Sequence, residues 1–115
     1  MREADTGATR DVANTKPQYE GYNASIVEWR YGQYMLKHQE QTDGVTRASD
    51  NWQKGMPRQW FIDSLYRHFV DVVLYHDNHP EIMTEDIEEA LCAILFNAKG
   101  YLYEVLLNRS VKDGE

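Results

Sequence analysis

The sequence has little of the chemistry that marks secreted, membrane-spanning or nucleic-acid-coating proteins. Cys92 is the only cysteine among 115 residues, which excludes an internal disulfide framework and predicts a reducing, cytoplasmic environment. No apolar run reaches the roughly 20 residues of a membrane-spanning helix, and the polar start of the chain, with its mixed charges, is not typical of a signal peptide. Basic residues number 12 against 19 acidic ones, so the net charge is −7. An acidic chain disfavours polymeric nucleic acid and anionic membranes as partners, but it allows a small phosphate ligand held through a divalent metal ion.

The pattern of apolar residues predicts one small helical domain at residues 22–109, after an extended polar arm at 1–21 and before a polar tail at 110–115. The first helix is predicted to start near Asn23 or Ser25, both good capping residues, and to fade after Lys37. The second runs from about Arg58 to Tyr75. The third runs from about Glu85 to Asn108, with Thr84 as its N-cap.

Apolar residues recur at helical spacing in the second and third helices, so each helix has a predicted buried stripe. These stripes comprise Phe61, Ile62, Leu65, Phe69, Val72 and Val73 in the second helix, and Ile87, Leu91, Ile94, Leu95, Ala98, Leu102, Val105 and Leu106 in the third. From Ala90 onward the third helix is apolar on its other sides as well. Three helices offer too little cover for it, so the fold class is an all-α bundle of three main helices completed by homo-oligomerisation, most simply a dimer.

A long polar connection at residues 42–57 joins the first two helices, and loops of this length are more often functional than structureless. Trp52 in this connection either stacks on a base or packs onto the core, and packing is favoured. In the arm, Gly7 and Arg10 have two interpretations, a phosphate contact or a loose terminus. Lys54 before Gly55 is a weak phosphate signal alone.

Two polar pairs carry the candidate chemistry. His68 and Asp71 lie one turn apart on a flank of the second helix, and Asp86 and Glu89 have the same spacing at the start of the third. If the two helices pack together, three carboxylates and an imidazole converge, and a hard cation such as Mg²⁺ or Mn²⁺ would relieve their repulsion. The competing interpretation is an acidic first helical turn and a core-edge histidine hydrogen-bonded to Asp71. A metal pair of His76 and His79 is disfavoured because further ligands are missing.

Four segments in order resemble a phage-borne family, the dATP/dGTP diphosphohydrolase N-terminal domain, which is related to the all-α nucleoside triphosphate pyrophosphohydrolases of the MazG-like group. The segments are Thr6-Gly7-Ala8-Thr9-Arg10-Asp11, Asp50-Asn51-Trp52-Gln53-Lys54-Gly55-Met56-Pro57, Arg67-His68-Phe69-Val70-Asp71, and Glu88-Glu89-Ala90-Leu91-Cys92-Ala93-Ile94-Leu95-Phe96-Asn97 with Gly100-Tyr101-Leu102 beyond. The resemblance covers most of the chain. It implies a helical, usually oligomeric fold with a Mg²⁺ site built from side chains of its helices.

The resemblance also implies an activity in the host cytoplasm: cleavage of a (deoxy)purine triphosphate between the α and β phosphates, releasing monophosphate and pyrophosphate. It assigns metal binding to His68, Asp71, Asp86 and Glu89, with Glu89 and His68 as the catalytic pair and Glu89 activating water. Substrate-binding residues would be Arg10, Asn51, Trp52, Lys54, Arg67 and Asn97.

The metal motif departs from the MazG-like pattern of Glu-x-x-Glu followed by Glu-x-x-Asp. The first motif is His68-x-x-Asp71 here, and Glu89-x-x-Cys92 lacks the final acid. Two alternatives to the hydrolase therefore stand: a non-catalytic protein that sequesters a nucleotide in the same pocket, and a helical module for structure or protein interaction.

Overall fold

The computed structural model describes residues 15–109, together with 2–3, 7 and 9–10 before them. Its architecture is all-α, as predicted. The helices are α1 (Tyr19–Tyr22), α2 (Ser25–Gln39), α3 (Arg58–His76) and α4 (Ile87–Leu106), with short 3-10 turns at Asn51–Lys54 and Pro80–Ile82. Two-residue strands, β1 (Arg2–Glu3) and β2 (Thr9–Arg10), pair antiparallel in the predicted arm. None of the described helices is long and apolar enough to cross a membrane. The predicted tail at 110–115 lies outside the described residues.

Helix α1 begins inside the segment that was predicted to be extended. It follows Pro17, and the side chain of Asn23 donates to the carbonyl of Tyr19 at 2.8 Å, which satisfies an acceptor at the end of this single turn. Such a local hydrogen bond is available to Asn wherever the backbone turns, and hydrophobic periodicity does not reveal it. The boundary predicted between residues 21 and 22 therefore cuts through a helix.

Helices α3 and α4 pack closely because α4 turns its small side chains towards α3. The buried residues of α4 are Ala90, Cys92, Ala93, Asn97, Gly100 and Glu104. Phe61 of α3 is 2% exposed, and its ring lies against Gly100, where an added Cβ would overlap it. Ala90 and Ala93 are both fully buried.

The predicted buried stripes are only partly confirmed in the single chain, where Phe61 is buried and Ile62, Leu65 and Val72 are half-buried. Phe69 and Val73 of α3 are 54% and 39% exposed, whereas Asp71 on the same helix is 2% exposed. On α4 the large aliphatic residues at positions 91, 95, 102, 105 and 106 are exposed too. The physical reason is that two helices approach most closely through small residues, so their larger apolar side chains face away from the contact.

Helix α2 packs on the first half of α4 through a small aromatic core. Tyr34, Cys92 and Ala93 are its buried members, and Tyr31, Met35 and Phe96 pack around them. Burial raises the pKa of the Cys92 thiol, so the sulfur is a small apolar filler and not an activated nucleophile. This agrees with its predicted place inside an apolar helix.

The connection at 42–57 is more ordered than its composition predicts. An isolated bridge pairs Glu40 with Thr46, and the 3-10 turn Asn51–Lys54 follows. Trp52 packs edge-on against Tyr103 and Phe96, with ring centroids 5.0 and 6.2 Å away. The packing interpretation of Trp52 is therefore confirmed.

A buried ion pair fastens this turn to the end of α4. Glu104 is 1% exposed, and Arg109 grips it with hydrogen bonds of 2.7 and 3.1 Å. Arg109 also donates to the backbone carbonyl of Gln53, and the backbone N–H of Met56 donates to Glu104. We call Glu104 and Arg109 the C-terminal clamp, since together they hold the turn in place.

Replacing Glu104 with glutamine is expected to lower the melting temperature by several degrees at neutral pH. Hydrogen bonds from Arg109 hold the pKa of Glu104 below its usual value of 4.5. Because the folded-state pKa is the lower one, the stabilisation is present above the unfolded pKa and disappears as the pH falls through the folded pKa. The gap between wild type and Glu104→Gln, followed by thermal unfolding, should therefore close on acidification. A gap that stays constant from about pH 7 to pH 3 would contradict this account, and exposed Glu81→Gln serves as the control.

Candidate metal centre

The connection at 77–86 doubles back so that its end contacts the last turns of α3. Asn78 adopts a left-handed conformation with φ of 65°, which asparagine tolerates better than most residues, and Pro80–Ile82 form a 3-10 turn. Thr84, near the end of this connection, then hydrogen-bonds to Asp71 of α3. Its backbone N–H donates to Oδ1 at 3.1 Å and its hydroxyl donates to Oδ2 at 2.6 Å. These bonds satisfy a carboxylate that is almost fully buried.

The start of α4 determines which acidic residue faces α3. Asp86, not Thr84, is the N-cap, and its side chain accepts from the backbone N–H of Glu89 at 2.8 Å. The predicted cap is therefore wrong by two residues, because Thr84 uses its donors on Asp71 instead. Glu85 consequently lies before the helix, and its carboxylate pairs with Nδ1 of His68.

His68, Asp71 and Glu85 form a cluster that we call the metal centre, in which one ligand atom from each lies within 4.8 Å of the others. His68 and Glu85 are partly exposed, and Asp71 is buried. The cluster borders a cleft of about 400 Å³ that Arg67 and Ile82 also line. Two carboxylates and an imidazole are an oxygen and nitrogen donor set that suits Mg²⁺ or Mn²⁺, so the donor chemistry fits the predicted cation.

The structure does not bring Asp86 and Glu89 into this cluster. Asp86 is used in capping α4, and Glu89 faces α2. There it accepts from Arg30 at 3.2 Å and lies 3.5 Å from the ammonium of Lys37. Arg30 also bonds Glu88 at 2.7 Å. A carboxylate already compensated by cations is a poor base for water, so the predicted metal-binding and water-activating role of Glu89 is not supported by its position.

The buried phenol of Tyr34 on α2 is influenced by the charges of both Glu85 and Glu89. Burial, followed by the negative charges of Glu85 and Glu89, raises the pKa of Tyr34 to about 12, so its phenol stays protonated at neutral pH. Its ring packs on that of His38 at a centroid distance of 4.3 Å. Tyr34 itself is buried, with 8% of its surface exposed.

The predicted substrate-binding residues fall into separate places. Arg67 is exposed at the rim of the metal-centre cleft. Asn51, Trp52 and Lys54 line a different cavity of about 390 Å³. Asn97 is 4% exposed and donates to the hydroxyl of Ser64 at 3.1 Å and to the carbonyl of Ala93 at 2.8 Å, so it holds α3 against α4. The side chain of Arg10 lies outside the described part of the chain.

Glu85 of the metal centre and Arg30 of α2 went unpredicted, and each had a signal in the sequence. Asp86-x-x-Glu89 is a capping pattern in which an acid sits three residues after a cap. It places the start of α4 at Ile87 and thereby leaves Glu85 outside the helix. Arg30 shares one face of α2 with Tyr34 and Lys37, at spacings of four and seven residues, which predicts a cationic strip facing an acidic helix start.

Comparison of this chain with protein-family models, with curated proteins and with solved structures finds no match. The function proposed below is therefore based on the residues themselves and on the resemblance described above.

Proposed function

We propose that this protein is a metal-dependent nucleoside triphosphate pyrophosphohydrolase whose metal is held by His68, Asp71 and Glu85. The observation that carries the proposal is the convergence of these three side chains in a cleft. Glu85 takes the place that the sequence pattern had assigned to Asp86 and Glu89. Within the cluster, the two carboxylates repel each other, and a bound divalent cation would offset that repulsion.

A metal ion bound at this centre would supply charge stabilisation to a polyphosphate and lower the pKa of bound water. The chain itself would supply the rest. Arg67 lies at the rim of the same cleft, and none of the ion pairs among the described residues involves it. Its guanidinium is therefore available for the bidentate phosphate contacts that arginine makes best.

The substrate class comes from the resemblance, which implies a (deoxy)purine triphosphate. In the proposed reaction a water oxygen bonds to the α-phosphorus and the bond from that phosphorus to the bridging oxygen breaks. Nucleoside monophosphate and pyrophosphate leave, and the proton of the water passes to solvent or to a group at the cleft. Such a substrate would place the activity in the cytoplasm, which for a phage-encoded protein is that of the host.

The decisive experiment is a panel of ribo- and deoxyribonucleoside triphosphates with Mg²⁺ or Mn²⁺, separated by chromatography to detect monophosphate and pyrophosphate. A thermal-shift measurement runs on the same samples. We expect both products from a purine triphosphate, and only when metal is present. Absence of product with every nucleotide and both metals would overturn the proposed reaction.

One observation favours the second candidate, a protein that sequesters nucleotides without cleaving them. Thr84 already donates to both oxygens of Asp71, and Glu85 already pairs with His68, so the network is satisfied by protein groups alone. A large thermal shift with nucleotide but no product would establish this function. If neither nucleotide nor metal shifts the melting temperature, the network only holds the 77–86 connection in place.

We further propose that the protein works as a homo-oligomer. The apolar residues Phe69, Val70, Leu102 and Val105 are each about half exposed on α3 and α4, which is unusual for a stable monomer of this size. A second copy of the chain would cover them most simply as a symmetric dimer. Light scattering coupled to size-exclusion chromatography should give at least twice the chain mass of 13.5 kDa, and a monomer at micromolar concentration would refute the idea.

A further inference from the structure

A cavity separate from the metal centre lies where the end of α2 meets the 3-10 turn Asn51–Lys54. We call it the loop cavity, and its volume is about 390 Å³, within the range of small-molecule sites. It shares no lining residue with the cleft of the metal centre. Its lining combines three kinds of group: basic side chains, an apolar floor and small polar side chains.

The charged side chains that line the loop cavity are both cationic. Arg47 and Lys54 line it together with His38, and no aspartate or glutamate does, although the whole chain carries a net charge of −7. Arg47 is held by Asp43 at 2.8 Å, so part of its charge is compensated. Lys54 takes part in none of the ion pairs found among the described residues. Its ammonium is therefore the group best placed to attract an anion.

The floor of the loop cavity is apolar and aromatic. Met35, Trp52, Met56 and Phe96 form it, and the edge-on packing of Trp52 on Phe96 and Tyr103 fixes the indole in place. Methionine and aromatic surfaces of this kind accept a flat ring. The C-terminal clamp preorganises this wall, because Arg109 and Glu104 bind the backbone on both sides of Lys54.

The polar side chains of the loop cavity differ in the hydrogen bonds that they already make within the protein. Gln39 donates to the carbonyl of Arg47 at 3.0 Å, and Gln41 donates to the carbonyl of His38 at 3.2 Å. Ser49 and Asn51 make no side-chain hydrogen bond to another described residue. An amide and a hydroxyl left free beside an apolar floor can pair with the edge of a heterocyclic ring.

We propose that the loop cavity binds a mononucleotide, with the base on the apolar floor and the phosphate at Lys54, and that it does so without a metal ion. The ligand class follows from the combination, since a simple anion would leave the floor unused and an uncharged ring would leave the lysine unused. This binding is independent of the proposed hydrolysis. The cavity would then serve as a second nucleotide site, separate from the metal centre.

The test uses Trp52 as its reporter. A Trp29→Phe/Trp60→Phe background leaves Trp52 as the only tryptophan, and the two replaced residues are 62% and 51% exposed. Fluorescence is titrated in EDTA with the four deoxynucleoside monophosphates, and with deoxyadenosine and inorganic phosphate as fragments. We expect saturable quenching by at least one monophosphate with a Kd below about 1 mM, and at least tenfold weaker binding of each fragment. No quenching by any of the four, or equal binding of phosphate alone, would overturn the proposal.

Two variants locate the binding within the loop cavity. Lys54→Gln should raise the Kd about tenfold by removing a charge-assisted contact, and Ser49→Phe should abolish binding by filling the space without adding a second tryptophan. Lys16→Gln removes one positive charge outside the cavity and should leave the Kd unchanged. If either cavity variant folds and binds like the background protein, the site lies elsewhere and the proposal fails.

The hydrolase proposal and the loop-cavity proposal can be refuted independently of each other. Glu85→Gln should retain mononucleotide binding in EDTA even though it disrupts the metal centre. Binding that requires Mg²⁺ and is lost in Glu85→Gln would show that the cavities act as one site, which overturns the metal-independent proposal and supports the hydrolase. Binding without any hydrolysis would instead overturn the hydrolase and support the second site.

Discussion

Replacing Glu85 with glutamine is expected to lower metal-dependent hydrolysis of the triphosphate by at least about 100-fold, since even residues that merely support metal ligands cost 10- to 100-fold when changed. Glu85 is the best residue for this test because it is half-buried and contacts His68, whereas Asp71 also anchors Thr84. The amide keeps the size of the side chain and removes its charge. Steady-state rates and Mn²⁺ binding by electron paramagnetic resonance should fall together.

Two control variants test whether the loss of activity is specific to the metal centre or follows the removal of any acidic side chain. Glu81→Gln removes an exposed charge from the same connection and should change neither the rate nor Mn²⁺ binding. Glu89→Gln is the informative comparison, because the resemblance assigns Glu89 to catalysis while the structure pairs it with Arg30 and Lys37. We expect this variant to keep its activity and lose some stability. Activity abolished in Glu89→Gln but intact in Glu85→Gln would refute the metal centre as described.

Replacing Phe61 with alanine is expected to reduce the free energy of unfolding by about 3–5 kcal/mol, the usual cost of truncating a buried aromatic ring. Phe61 is 2% exposed and its ring packs near Phe96 at a centroid distance of 6.2 Å. For a small domain with a total stability of about 5–15 kcal/mol, this loss is a large fraction. Urea denaturation at fixed protein concentration measures it.

Phe69→Ala is the matched control on the same helix. Its ring is 54% exposed, so at concentrations where the chain is monomeric the cost should stay below about 1 kcal/mol. Equal losses for the two variants would show that the α3–α4 contact is not where the structure places it.

A second substitution tests the contact between Phe61 and Gly100 directly. Gly100→Ala alone should destabilise by about 1–3 kcal/mol, because the added methyl group meets the ring of Phe61. In the Phe61→Ala background the same methyl group enters vacated space. The double variant should therefore lose less free energy of unfolding than the sum of the two single losses, by at least about 1 kcal/mol. Simple additivity would contradict the close approach.

Helix positions were more predictable than helix faces. α3 starts at Arg58 as predicted, because a helix rarely extends to the N-terminal side of a proline such as Pro57. It ends at His76, one residue past the predicted end. The buried faces were not predictable from hydrophobicity. Periodicity shows which side of a helix is apolar, whereas the packing of α3 on α4 follows the small residues Ala90, Ala93 and Gly100. The large apolar residues are left exposed on the single chain.

The site was half predictable for a related reason. Spacing within one helix places His68 and Asp71 on a common side, and the structure keeps them together. Which acidic residue lies next to them depends on the loop before α4. The course of that loop depends in turn on which of two good N-cap residues starts the helix. A shift of two residues from Thr84 to Asp86 exchanges Glu85 for Glu89 as the residue that faces His68. Local spacing does not decide between two caps when one of them has a tertiary partner.

The C-terminal clamp has a consequence for the way the chain can be shortened or fused. Arg109 stands beyond the last turn of α4, yet it binds the buried carboxylate of Glu104 and the backbone of Gln53. Trimming the chain to the end of the helix would leave Glu104 buried without its cation and release one wall of the loop cavity. A fusion partner or affinity tag therefore belongs after Arg109 with a spacer, and Leu106 is not a safe place to stop a recombinant chain even though the helix ends there.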